Sequence, residues 1–394
     1  MPESQETAGA HGPPSAGRRK RPANRYDLAE LAGAFGDLGT LIPFVVGYLT
    51  VTRLDAFGIL VMFGVSAILT GWYYKTPIPI QPMKAIGSAA IGAAGAVSPA
   101  MVCAAGLFTG LFWLVAGATG TVKLASALAA TPIVHGILLG LGLTFMTQGI
   151  QMMRPDPWLA AAGLAVTFAL LARPAIPAMF GLMLVGLAAV IWMSPSSDAW
   201  WPLLMPTFRL PRLALADMTW QQFVAGSALL AIPQIPLTLG NAVIAVRAEN
   251  NELFADRPVT ERQLAVTQGL INLAAAPLGG IPMCHGAGGM AGHVRFGART
   301  GGSVVMLGGM LLVLGLCYSH AVGALFEAFP RAILGVILFF AGSELAITIR
   351  KMSTEKGDVY VMLVVAALAM WNMGAAFVAG VALHAALRRA WIRL

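Results

Sequence analysis

Two stretches, TPIPIQPMKAIGSAA at residues 76–90 and GGIPMCHGAGGMAG at 279–292, place prolines, glycines and polar side chains inside an otherwise apolar chain. Gln81, Met83, Lys84 and Ala85 in the first, and Cys284, His285, Gly286, Ala287 and Gly288 in the second, share one possible chemistry: holding an anion away from water. Lys84 supplies a full positive charge, Gln81 and His285 can donate hydrogen bonds, and the glycines leave backbone N–H groups bare for an oxyanion. Pro82 and Pro282 lack an N–H and favour extended geometry in the residue before them, so each stretch predicts an extended segment turning into a helix. The start of a helix offers unsatisfied N–H groups and about half a positive charge. The same residues also fit structural roles: glycines that permit close helix packing, a Lys84 that snorkels or pairs with Glu344, a His285 that satisfies backbone groups.

Two further segments carry polarity within apolar runs. Glu30, Asp37 and Thr40 precede Pro43 in ELAGAFGDLGTLIPF, and Gln234, Thr238 and Asn241 follow or flank Pro233 and Pro236 in LAIPQIPLTLGNAV. Prolines inside a span free carbonyls that can face a cavity, and Gln234 joins the substrate candidates. Asp37, His285 and Glu344 are the candidates for carrying a coupled proton or other cation. Gly286, Gly288 and Ala291 match the spacing of a dinucleotide fingerprint, but no βαβ unit surrounds them. No catalytic motif, metal-ligand cluster or cofactor site is indicated, and the reading is not that of an enzyme.

The elements that must position these residues are membrane spans. Of the 394 residues, 58% are hydrophobic and 11% charged, whereas a soluble protein carries roughly a quarter charged residues. Apolar runs near 28–50, 55–73, 84–97, 99–118, 133–153, 157–172 and 175–193 form one set of seven. Runs near 220–246, 262–276, 285–296, 301–318, 331–349, 358–371 and 374–390 form another. Most approach the roughly 20 residues that cross a bilayer, but the third and tenth are short and follow the two broken stretches, as half-helices would. Seven spans per set is odd, so the second repeat enters the membrane in the opposite sense.

Charge gives the orientation. With the N-terminus inside, Arg53, Arg154, Arg209, Arg212 and Arg331 face outward, Lys84 lies within the membrane, and every other Lys and Arg is cytoplasmic. The net charge of +8 is therefore explained by topology, with no nucleic-acid partner. The division read from the sequence is a disordered basic cytoplasmic tail at 1–26, a first transmembrane repeat at 27–193, an extracytoplasmic linker at 194–219 and a second, inverted repeat at 220–394. Cys103, Cys284 and Cys317 show no disulfide or zinc spacing. The chain is expected to be a multi-pass protein of the plasma or inner membrane, both termini cytoplasmic, with the lipid bilayer as its partner.

The motifs at Glu30–Phe44, Pro77–Ile86, Pro233–Asn241 and Pro282–Gly297 resemble the molybdate transporter family, related to the SulP sulfate permeases. The resemblance implies an all-α integral membrane fold of seven plus seven inverted spans divided into core and gate domains, often as a homodimer. It implies import of molybdate, a tetrahedral dianion, bound between the third and tenth segments. Sulfate or another oxyanion is the alternative cargo, and a passive anion channel the alternative class. The sulfate permeases usually append a cytoplasmic STAS domain; this chain ends in ALRRAWIRL after its last span, so none is expected.

Overall fold

The computed structural model describes residues 23–93, 95–122, 130–171, 178–193, 205–209, 213–216, 218–351 and 354–392. Residues 1–22 of the expected tail and most of the 194–219 linker lie outside them. Asn24 and Arg25, which the sequence reading puts in the tail, are fixed: Asn24 Nδ2 donates to the Gly71 carbonyl at 3.0 Å and the Arg25 N–H to Thr300 Oγ1 at 3.1 Å.

The first span is broken. Helix α1 (Leu28–Ala34) passes through a 3-10 turn at Phe35–Asp37 into α2 (Leu38–Thr50), and Leu28–Asp37 meets Thr40–Thr50 at a bend of 49°. Asp55 accepts from the Phe57 N–H at 3.1 Å and so starts α3 (Ala56–Tyr74), a cap worth roughly 1 kcal/mol. A two-residue strand β1 (Gln81–Pro82) then leads into the half-helix α4 (Lys84–Gly92). The expected third segment ran to residue 97, but the helix ends at Gly92 and Gly95 adopts φ +94°. Ser98 caps α5 (Pro99–Thr119), which has proline in its first turn where no N–H is missed. The repeat closes with α6 (Thr131–Met153), α7 (Pro157–Leu171) and α8 (Ala178–Met193).

The second repeat opens with α9 (Trp220–Leu253), a 34-residue span containing π-helical turns at Gly226–Ala231 and Thr238–Ile244. Those turns bracket Pro233 and Pro236, which cannot donate to the preceding turn; widening the helix absorbs the mismatch. Then come α10 (Glu261–Ala275), β2 (Met283–Cys284), the second half-helix α11 (Ala287–Arg295) and α12 (Gly302–Ala328). The eleventh segment was expected to stop at 318; α12 instead continues across a kink at Tyr318 (φ −130°, ψ 15°). The chain ends with α13 (Arg331–Ile347), α14 (Lys356–Ala369) and α15 (Met373–Arg388). Among the described residues five helices are long and apolar enough to cross a membrane alone, six with the bent first pair, and four more are shorter apolar helices of 10–17 residues.

The packing shows the inverted repeat. In the first repeat α3 packs on α12 of the second, and in the second α10 packs on α5 of the first, so second-with-eleventh mirrors ninth-with-fourth. Both α6 and α13, the fifth and twelfth segments, pack against each other, with α14 and α7 flanking them. Each repeat completes the other, and the principal core draws buried residues from both.

Candidate functional site

The two broken stretches meet. Strands β1 and β2 pair antiparallel, Gln81 opposite Cys284 and Pro82 opposite Met283, and the Met83 N–H donates to the Pro282 carbonyl at 2.8 Å. Antiparallel strands send their following helices in opposite directions, so α4 and α11 leave the ladder back to back with their N-termini at its centre. The extended residues before each helix, Met83 (φ −66°, ψ 109°) and Gly286 (φ −156°, ψ 124°), carry no side-chain cap of their own.

The two helix starts are satisfied differently. Gln234, between the prolines of α9, turns its Oε1 onto α4 and accepts from the Ala85 N–H at 2.7 Å and the Ile86 N–H at 3.3 Å, while its Nε2 donates to Thr238 Oγ1 at 2.9 Å. No acceptor among the described residues meets the first N–H groups of α11, at Ala287, Gly288 and Gly289. A Cβ at Gly288 would meet nothing within 4 Å.

Gly286 and Gly289 are not open in that way. Both lie against the Gln81 amide, and a Cβ at Gly289 would stand 2.5 Å from Gln81 Nε2 and 2.7 Å from Asp37 Oδ1. Gln81 Nε2 donates to Asp37 Oδ1 at 2.5 Å, and Gln81 Oε1 is buried without a partner among the described residues. Asp37 ends the 3-10 turn of the broken first span. Lys84, half-buried on the first turn of α4, makes no ion pair with a described residue.

His285 is bound on both sides. Its Nδ1 donates to the Pro79 carbonyl at 3.1 Å, and its Nε2 meets Thr267 Oγ1 at 2.9 Å, which in turn meets the Tyr74 hydroxyl at 2.6 Å. Tyr74 also packs edge-on to the imidazole, the centroids 5.6 Å apart. The ring thus ties the first broken stretch to α10 across the ladder. Cys284 is a buried free thiol in β2. Glu344 falls in α13, and its side chain lies outside the described residues.

Sequence reading missed Asn272. Its Nδ2 donates to the Met283 carbonyl at 2.6 Å and its Oδ1 accepts from the Met283 N–H at 2.8 Å, so a side-chain amide acts as a third strand on the outer edge of β2. The available signal was Gln268 and Asn272, one helical turn apart in the apolar run LAVTQGLINLAA. The sequence marks Glu30 only as polarity in an apolar run; its carboxylate accepts from the Arg299 N–H at 2.9 Å and the Ser303 N–H at 3.1 Å, joining the first span to the start of α12.

A family described as "Molybdate transporter of MFS superfamily" matches residues 29–145 and 226–345. Molybdate transporter 2 of Arabidopsis thaliana is 33% identical, the match covering 91% of this chain and 87% of that protein. Molybdate transporter 1 of the same plant is 32% identical over 99% and 96%, and molybdate transporter 1 of Chlamydomonas reinhardtii 29% identical over 89% and 90%. Among solved structures, the transmembrane domain of the cyanobacterial bicarbonate transporter BicA superposes with a TM-score of 0.65 at 14% identity, covering 89% of this chain and 96% of that one. The anion transporter SLC26A9 gives 0.67 at 12% identity, covering 94% and 66%. The superfamily label would imply halves of six spans; the chain instead folds as seven plus seven, like these neighbours.

Proposed function

Because the chain belongs to the molybdate transporter family, we propose that it imports molybdate by secondary active transport, the dianion held at mid-depth between the N-termini of α4 and α11. The observation that carries this reading is the unequal satisfaction of the two helix starts. Gln234 Oε1 occupies at α4 the position that a substrate oxygen would take, and α11 presents the N–H groups of Ala287, Gly288 and Gly289 with no acceptor among the described residues and open space beside Gly288. A tetrahedral oxyanion accepts from both helix ends at once, with Lys84 adding a full charge to the two dipoles.

In this reading Gln81, Met83, Ala85, Cys284 and Gly286 shape the ladder under the anion, His285 braces it, and Gln234 yields to the substrate. The core, spans one to four and eight to eleven, moves against a gate built from spans five to seven and twelve to fourteen. Import of a dianion against the membrane potential costs about 4.6 kcal/mol per 100 mV, so a co-transported proton or other cation is part of the proposal, with Asp37, His285 and Glu344 as candidate carriers. Both termini are cytoplasmic and the working unit is a homodimer in the plasma or inner membrane.

The test is uptake of labelled molybdate by cells expressing the chain, with sulfate and tungstate as competitors. Saturable uptake at submicromolar molybdate, resistant to excess sulfate, is expected. Uptake no greater than in vector controls overturns the reading, and complete competition by equimolar sulfate reassigns the cargo.

A further inference from the structure

At the far end of α3 from Asn24 lies a polar pocket, of about 340 Å³, between the α2–α3 turn and the kinked end of α12. Its walls include Arg53, Asp55, Arg209, Ser319, His320 and Gly323. Helix α3 is 19 residues long, roughly 28 Å, so the pocket opens on the face opposite the N-terminal residues.

Its chemistry is that of an oxyanion site. Arg53 is exposed, forms no ion pair with a described residue, and is held in the left-handed backbone region at φ 54°, which side-chain-bearing residues rarely adopt. Arg209 crosses from the 205–209 segment to pair with Asp55 at 2.8 Å, leaving guanidinium donors beside the pocket. Ser319 is 1% exposed, yet its hydroxyl has no partner among the described residues. His320 Nδ1 meets the Thr207 hydroxyl at 2.7 Å, and its Nε2 is buried without a partner among the described residues. Gly323 adds open space, with nothing within 4 Å of where a Cβ would be. Two guanidinium groups against one carboxylate leave net positive charge, and the unpartnered hydroxyl and imidazole can donate to the oxygens of a small anion.

We propose that this pocket is a capture site for the transported oxyanion, filled before the central site; the assignment of cargo rests on the reading given under Proposed function. The test is equilibrium binding of labelled molybdate to the full chain in neutral-lipid nanodiscs. Two molybdates per chain are expected, falling to one in Arg53→Gln and in Ser319→Ala, and to a different one in Gly288→Val. Asp55→Asn keeps the helix cap but releases Arg209, and should tighten the outer site about threefold, within the range of an exposed ion pair.

One molybdate per chain, lost in Gly288→Val and unchanged in Arg53→Gln and Ser319→Ala, overturns the capture site and leaves the central site standing. One molybdate lost in Arg53→Gln and Ser319→Ala but kept in Gly288→Val supports the capture site and overturns the central one. Absence of binding overturns both.

Discussion

Gln234 Oε1 accepts a hydrogen bond from the Ala85 N–H at 2.7 Å, so a side chain of the second repeat caps the half-helix of the first. Because the acceptor is a neutral amide oxygen, it can be exchanged for an anion's oxygen without leaving a bare charge behind.

Gln234→Glu places a fixed carboxylate where the substrate should bind. A carboxylate at a helix N-terminus is stabilising by about 0.3–1 kcal/mol, so the melting temperature should hold or rise while molybdate uptake falls at least tenfold. Gln234→Leu removes the cap and should cost about 1 kcal/mol of stability. Thermal melts and uptake on the same preparations decide the matter, and uptake by Gln234→Glu within twofold of wild type would rule out displacement of this side chain.

Neighbouring glycines of α11 should respond oppositely. Gly289→Ala drives a methyl against Gln81 Nε2 and Asp37 Oδ1, and should destabilise the protein by about 1–3 kcal/mol. Gly288→Ala meets no atom and gains helix propensity, so it should melt at or above the wild-type temperature but raise the KM for molybdate several-fold. Equal melting temperatures for the two variants would contradict the packing described here.

The contrast also marks how far the sequence could be read. Pro82 and Pro282 announced the two extended-to-helix transitions because proline acts locally, through its own missing N–H and its predecessor's backbone. The similar composition of Gly286, Gly288 and Gly289 concealed different jobs, since only the fold brings the Gln81 amide against two of them. The same limit applies to Gln234 and Asn272, whose partners lie across a repeat or across the ladder. Helix ends were less legible: α12 runs ten residues past the kink at Tyr318 because the following amphipathic turn continues the helix.

Asn272→Leu should expose the cost of unmaking the amide clamp. The Met283 N–H and carbonyl would both lose a buried partner, at about 1–3 kcal/mol each. Asn272→Gln cannot restore both bonds at once, because its longer side chain shifts the amide past Met283. Uptake should fall with stability in both variants, whereas wild-type melting by Asn272→Leu would mean that the ladder does not depend on this edge.

Coupling is tested most cleanly at Asp37. Asn at this position can still accept from Gln81 Nε2, so Asp37→Asn should fold while losing the ability to take up a proton. If Asp37 carries the coupled proton, wild-type uptake rises as external pH falls, and this slope disappears in the variant. Exchange of external for internal molybdate moves no net charge, so it should survive in Asp37→Asn even as net accumulation is lost. Glu344→Gln, measured in parallel, should keep the wild-type slope. A variant at Asp37 that accumulates molybdate with an unchanged pH profile removes this carboxylate from the coupling step, and its bond to Gln81 would then serve only to hold the broken first span against the ladder.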